Sequence, residues 1–481
     1  MFIKYSLAAA VVLVAASAVA ASAIAAEETT EGAIFTIPID FHNLPDYRNQ
    51  AAATKRYLNK RQAVSDVSLT SVIGDVLYTI PITLGTPPQK FNLAIDTGSF
   101  VTWVVSSSCV TGACANITNH FNPALSSTAV LMPTAFESKY VSGDRVSGQY
   151  MTEQYSIGSL NFKAMAGLVS VNQATLPPSV DGIMGLWSAK AELEQISGDI
   201  PILKILARAK ALSKNQIGVF LQSNSPVSRA SNRVNAPGGE ISFGGANAAR
   251  YKEPITYINC VGKTPWMLSV SAMSVNGRPI ATGGAQATID TGTSLMMVPQ
   301  SVADAIHAAI PGSIKTAEYG WFVPCEGTIP ITITFGTFVT TIPYKTFAIQ
   351  DNYATLNTGR IVCLSSVMYP KGATVVIDDW LLGAVFMKNM YTVFDFDPAV
   401  PGGRIGFAQL AVGGNAGTGP GAGNGGDNGG NSGNSGNNGN SGGNNGPISV
   451  PRSAAVGQFS SVQALHALTF VVAGAFGTLL L

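Results

Sequence analysis

The triplet Asp-Thr-Gly occurs twice in this chain, within Ile95-Asp96-Thr97-Gly98-Ser99 and within Ile289-Asp290-Thr291-Gly292-Thr293. Each copy closes a strand-like run, Phe91–Ile95 or Gln286–Ile289, and is followed by a hydroxyl, Ser99 or Thr293, placed to hydrogen-bond the carboxylate. One copy alone has an ordinary reading, because an Asp on a tight turn commonly caps its own backbone through an Asx interaction. Two copies 194 positions apart are far more restrictive. Matching strand-to-turn units of this kind can bring two carboxylates face to face.

This pattern resembles the pepsin-like aspartic proteases. The resemblance implies a mostly β, bilobal fold with a catalytic cleft between two related β lobes, and Asp96 and Asp290 as the catalytic pair. The chemistry accounts for the residue types. Two carboxyl groups about 3 Å apart cannot both ionise, so they share one proton and titrate as a unit. The ionised partner takes a proton from a trapped water while the protonated partner donates to the scissile carbonyl, with no covalent enzyme intermediate. Gly98 and Gly292 let the backbone approach closely, and the resemblance implies that Thr97 and Thr291 hydrogen-bond across the two loops. No cofactor and no metal enter such a mechanism.

Further motifs follow in the family's order. Leu77–Gln89 (LYTIPITLGTPPQ) is similar to the family's first strand and the turn before the catalytic loop, and Trp103 follows the first acid at the family's spacing. Tyr140-Val141-Ser142-Gly143-Asp144 is similar to the tip of the flap, a hairpin that closes over bound peptide. The resemblance implies that Tyr140 bonds Trp103 and that Ser142 and Gly143 lie against substrate. Two departures bear on flap stiffness: Val141 stands where the family usually has Gly, and Asp144-Arg145 where it usually has small residues. Ile183-Met184-Gly185 and Leu381-Leu382-Gly383 match the segments that cross behind each catalytic loop, with Ala384 where an Asp often follows. Tyr391–Asp397 and Arg404–Ala408 are similar to the closing strands. Ser142 is not an acid, so one route to accepting lysine before the scissile bond is missing, and bulky apolar residues are expected around the cleaved bond.

Composition narrows the alternatives. Short β-branched and aromatic runs with 51 Gly and 26 Pro point to a β-rich protein. One helix is predicted over Ile200–Lys210, with apolar residues on one face and its basic residues solvated. Residues 62–411 hold 21 acidic and 21 basic side chains, so adaptation to extreme acid through depletion of bases is not indicated. With 4 His, no Gly-rich phosphate loop and no basic stripe, neither a metal centre nor a nucleic-acid partner is expected. The expected partners are polypeptide substrates, and the enzyme is expected to be a monomer. Spacings similar to the family's disulfides imply Cys109 with Cys114 and Cys325 with Cys363, in an oxidising compartment. Cys260 is left over and reads as a buried apolar thiol. Asn116-Ile117-Thr118 is an N-glycosylation sequon on a loop expected to be exposed.

The ends of the chain describe traffic. Residues 1–26 read as a secretory signal peptide, with a retained membrane anchor as the alternative. Residues 27–61 read as a propeptide ending in Lys60-Arg61, similar to a kexin-type processing site; Arg56-Tyr57 or Lys55 would cover the aspartates in the zymogen. Two catalytic lobes are expected at 62–247 and 248–411. A Gly/Asn/Ser-rich linker follows at 412–452, and then a 453–481 segment whose small residues and short apolar tail resemble a GPI-attachment signal, with Ser453 as the candidate attachment residue. A transmembrane helix is the weaker alternative because no basic stop follows the tail. The whole is similar to fungal surface aspartic proteases of the yapsin type, without their acidic insertion, anchored outside the cell through the membrane or wall. A catalytically inactive wall-associated relative with the same fold is the rival reading; such relatives usually have a replaced Asp or Gly in a triplet, and both triplets here are intact.

Overall fold

The computed structural model describes residues 65–411, apart from 73–74, 76, 141–143, 175, 178, 188–200, 224–234, 263–265, 317–319, 357–358 and 370–378. All the described residues fall in one unit, Tyr47–Leu481. The signal peptide, the propeptide with Lys60 and Arg61, the linker and Ser453 lie outside the described residues, as do Ser142 and Gly143.

The protein is mostly β, a bilobal pepsin-like fold. Its largest sheet has 13 strands. It begins with Tyr251–Asn259, Arg404–Leu410 and Tyr391–Asp395 from the second half of the chain, then crosses to Gln216–Leu221, Asn235–Phe243, Ser65–Val72, Leu77–Leu84 and Gln89–Asp96. Gly182–Gly185, Trp103–Val105, Leu160–Asn172, Arg145–Ile157 and the edge strand Val130–Lys139 complete it. The two halves are therefore hydrogen-bonded to each other where Gln216–Leu221 pairs antiparallel with Tyr391–Asp395. A strand precedes the one that the motif reading took as first: Ser65–Val72 alternates buried Val67 and Leu69 with exposed Asp66 and Ser68, the period-2 pattern of a half-buried strand.

One strand arrangement is built twice. In the first copy Gln89–Asp96 runs parallel to Gly182–Gly185, which runs antiparallel to Trp103–Val105, which is parallel to Leu160–Asn172. In the second, Gln286–Ile289 runs parallel to Trp380–Leu382, which is antiparallel to Met296–Met297, which is parallel to Val367–Met368. Strands covered on both faces read as continuous apolar runs, and Gly182–Gly185 is buried throughout. Two four-stranded sheets complete the second half.

A continuous apolar core joins the copies, taking in Ile80, Ile95, Met184, Ile289 and Leu382. Trp266, from the second half, is buried in it and donates its indole N–H to the Leu186 carbonyl of the first half at 3.1 Å. The helix predicted over Ile200–Lys210 spans Ile202–Arg208, opened by Pro201 and burying Ile202, Leu203 and Leu206. It stops where Lys210 turns to a left-handed φ of 50°. The disulfides Cys109–Cys114 and Cys325–Cys363 are formed. Cys260 lies outside both disulfides and is half-buried rather than buried as expected, because it directly follows the sheet's outermost strand, Tyr251–Asn259. Asn116 ends the short turn Gly112–Asn116 and is exposed.

Candidate active site

Asp96 is the last residue of strand Gln89–Asp96, and Asp290 follows directly on strand Gln286–Ile289. Each Asp-Thr-Gly turn is anchored by its crossing segment. The Leu186 N–H donates to the Asp96 carbonyl at 2.8 Å, and the Asp290 N–H donates to the Leu382 carbonyl at 3.1 Å. The crossing segments need glycine at their closest approach. A Cβ on Gly185 would lie 2.8 Å from the Ser99 carbonyl oxygen, and one on Gly383 would lie 2.0 Å from that of Thr293.

The two turns are mirror partners. Ser99 donates its hydroxyl to Asp96 Oδ2 at 2.5 Å, and Thr293 donates to Asp290 Oδ2 at 2.6 Å. The N–H of Gly98 meets Asp96 Oδ1 at 2.9 Å, and that of Gly292 meets Asp290 Oδ1 at 2.9 Å. Gly98 N–H also lies 3.2 Å from Asp290 Oδ1, so one donor touches both carboxyl groups and the acids converge. A Cβ on Gly292 would stand 2.4 Å from the Asp96 carboxyl carbon, which leaves only glycine at that position. Thr97 N–H donates to the Thr291 hydroxyl and Thr291 N–H to the Thr97 hydroxyl, each at 3.0 Å.

Both carboxyls are fully buried. Burial holds the Asp96 carboxyl well above the ordinary carboxylate range, the charge of Asp290 pushes it further, and the Ser99 hydroxyl and Gly98 N–H oppose them. Burial also raises Asp290, against the Thr293 hydroxyl and the Gly292 N–H. The two acids therefore titrate together, each raised chiefly by burial.

Trp103 and Tyr140 are buried and joined, the indole N–H donating to the phenol oxygen at 2.5 Å. Burial raises the phenol well above its usual range. The Tyr140 N–H donates to the Asp144 carbonyl at 2.9 Å. The charged departure beside it is absorbed into a small ion-paired group: Arg145 and Lys139, cross-strand neighbours, both pair with Glu137.

Three contributors escaped the sequence reading. The Thr102 hydroxyl accepts the Gly185 N–H at 3.1 Å, and Trp187 N–H donates to the Ser99 carbonyl at 3.2 Å, its ring standing edge-on to Phe100 at 6.0 Å. Asp181, just before the first crossing segment, accepts the Asn92 N–H at 2.8 Å and both the backbone and side-chain N–H of Asn119 at 3.0 Å. No residue pattern flags Thr102 or Asp181, but a Trp directly after Gly185-Leu186 was a visible signal.

A sequence model of the family described as eukaryotic aspartyl protease matches residues 77–410. The chain is 29% identical over 387 residues to the major aspartyl peptidase 1 of Cryptococcus neoformans var. grubii, covering 77% of this chain and 76% of that protein. It is 30% identical to an aspartic protease of Phaffia rhodozyma (76% of this chain, 83% of that protein) and 30% identical to human cathepsin D (70% and 81%).

Proposed function

The chain belongs to the eukaryotic aspartyl protease family and is an aspartic-type endopeptidase acting on polypeptides, and from that premise we propose that Asp96 and Asp290 carry the reaction as a dyad sharing one proton. The supporting observation is the Gly98 N–H within 2.9 Å of Asp96 Oδ1 and 3.2 Å of Asp290 Oδ1. A water held between the acids loses a proton to Asp290 as it attacks the scissile carbonyl. Asp96 delivers its proton to the carbonyl oxygen, giving a neutral tetrahedral diol. Collapse of that diol breaks the C–N bond as the proton on Asp290 passes to the leaving amine nitrogen and a diol hydroxyl gives its proton to Asp96, so the carboxylic acid product departs and one proton remains on the pair.

Thr97, Gly98, Ser99, Thr291, Gly292 and Thr293 hold the acids level. Tyr140 and Trp103 set the base of the flap, with Ser142 and Gly143 at its tip against the peptide. Substrate lies extended with alternate side chains in pockets, and bulky apolar residues are preferred beside the cleaved bond. The enzyme works at acid pH because the dyad must keep one proton.

The sequence supports a secreted precursor: signal peptide at 1–26, propeptide at 27–61 removed after Lys60-Arg61, catalytic lobes at 62–247 and 248–411, glycosylation at Asn116, a linker at 412–452, and GPI attachment near Ser453 with removal of the 453–481 segment. The enzyme acts as a monomer at the cell surface. The test is cleavage of an unfolded protein by purified enzyme across pH, with pepstatin as inhibitor and the cleaved bonds mapped. Pepstatin-sensitive cutting at acid pH next to apolar residues is expected. Cutting that resists pepstatin, or a map dominated by Lys and Arg, overturns the corresponding part of the proposal.

A further inference from the structure

A cavity of about 520 Å³ is walled by Lys210, Lys214 and Gln216 from the first half of the chain and by Asp395, Asp397 and Arg404 from the second. None of these residues belongs to the catalytic constellation. The volume lies within the range of small-molecule sites, about 300–1,000 Å³.

Internal pairing leaves this wall with a surplus of cationic donors. Asp395 is 1% exposed. Its Oδ2 accepts Arg404 Nε at 2.8 Å and Gln216 Nε2 at 3.0 Å, while its Oδ1 accepts the Asp397 N–H at 3.1 Å. That carboxylate is satisfied, and its charge is balanced by Arg404. The Arg404 guanidinium rests on the Tyr257 ring at 4.4 Å and uses only Nε for hydrogen bonding, so its two terminal amino groups have no hydrogen-bond partner among the described residues. The ammonium groups of Lys210 and Lys214 likewise have no ion-pair or hydrogen-bond partner among them. Lys210 holds a left-handed φ of 50° at the end of helix Ile202–Arg208, where glycine is the usual occupant. Against these three cations stands Asp397, one of whose oxygens is taken by the Ala399 N–H at 2.9 Å.

Two free ammoniums and a guanidinium edge suit a phosphoryl group, which accepts several charge-assisted hydrogen bonds at once. A bare phosphate would fill a small part of the space. It would also leave the second Asp397 oxygen facing an anion, whereas a ligand bearing hydroxyls would donate to it. We propose that this cavity is a second ligand site, remote in sequence from the dyad, that takes a phosphomonoester on a sugar-sized polyhydroxyl body. Gln216 and Asp395 are direct cross-strand partners in the pairing that joins the two halves, so a ligand here braces that pairing and raises thermal stability without competing with substrate.

The test measures calorimetric binding and unfolding temperature of the purified full-length protein with glucose 6-phosphate, orthophosphate, glucose, and potassium chloride at matched ionic strength. Saturable 1:1 binding of glucose 6-phosphate with a raised unfolding temperature is expected, with orthophosphate weaker and no effect of glucose or chloride. Lys210→Ala/Lys214→Ala weakens binding by at least about tenfold while peptide cleavage stays at the wild-type rate. Asp397→Asn weakens the sugar phosphate but not orthophosphate. Failure of both phosphates to bind, an effect reproduced by chloride, or undiminished affinity in the double variant overturns the site. Orthophosphate binding as tightly as glucose 6-phosphate overturns the polyhydroxyl part of the assignment.

Discussion

Thr97 and Thr291 exchange the same pair of hydrogen bonds in opposite senses. Each hydroxyl accepts the other's N–H at 3.0 Å and donates to the carbonyl of the residue before the opposite acid, Thr97 to Ile289 at 3.0 Å and Thr291 to Ile95 at 2.9 Å. The two loops are thus fixed to each other, and with them the separation of the carboxylates.

That exchange makes the hydroxyl, rather than the size of the side chain, the requirement at position 97. Thr97→Val removes two buried hydrogen bonds and leaves the Thr291 N–H and the Ile289 carbonyl unsatisfied, at a cost of about 2–4 kcal/mol. Thr97→Ser keeps both bonds. Chemical denaturation and peptide turnover should show Val strongly impaired in both and Ser close to wild type.

Tyr140→Phe strips the acceptor from the Trp103 indole N–H, which is buried and has the phenol oxygen 2.5 Å away. An orphaned buried donor costs about 1–3 kcal/mol, enough to let the segment around Tyr140 shift. The expected outcome is a fall in kcat/KM of roughly tenfold for a loss of about 1.4 kcal/mol, with the catalytic turns unchanged. Steady-state kinetics on a peptide substrate checks this.

His307 sets a lower pH limit on stability. It is 1% exposed, its ring nitrogens meet the Ala303 carbonyl at 2.7 Å and the Ser365 hydroxyl at 2.8 Å, and it stacks on Trp321 at 4.6 Å. Burial lowers its pKa from 6.5 to about 4. The unfolded chain therefore binds this proton first as pH falls. The stability is intact above pH 6.5, declines between 6.5 and about 4, and has then lost its full share, about 3 kcal/mol. His307→Gln should flatten that part of the stability curve, measured by urea denaturation at stepped pH.

Asp75 and Lys388 form a buried ion pair 313 positions apart in sequence, Nζ to Oδ2 at 3.4 Å, and Asp75 Oδ1 also accepts the Ser71 hydroxyl at 2.7 Å. Lys388→Met takes the ion-pair partner from a buried carboxylate and should cost about 3–5 kcal/mol. Asp75→Asn/Lys388→Met should recover part of that loss. Denaturation of the two variants distinguishes a compensated pair from a general loss of packing.

Legibility in the sequence follows how local each signal is. The acids, their glycines and the flanking hydroxyls are all written within two pentapeptides, and the crossing segments within two tripeptides, so the site's inventory could be read directly. Asp75 and Lys388 were not found because their pairing depends on where the chain ends up, although a lone lysine in the apolar run Ala384–Met390 was a clue. Strand Ser65–Val72 was hidden by its serines, which satisfy a period-2 pattern but carry little apolar weight. The continuous sheet joining the halves rests on the register of Gln216–Leu221 against Tyr391–Asp395; the second segment was legible as a closing strand, but neither segment carries a signal of its partner. The charged cavity likewise collects residues from the end of the predicted helix and from the closing strands, whose meeting no local pattern announces.

The shared proton is tested most directly by pH profiles of peptide hydrolysis for the wild type, Asp96→Asn and Asp290→Asn, with folding of each checked by circular dichroism. Burial raises both acids, so wild-type activity should persist while one proton is bound and disappear as pH rises through the upper titration of the pair. Each Asn variant should fold yet lose at least about a hundredfold in turnover at every pH. A folded Asp96→Asn enzyme that keeps wild-type turnover would contradict the account.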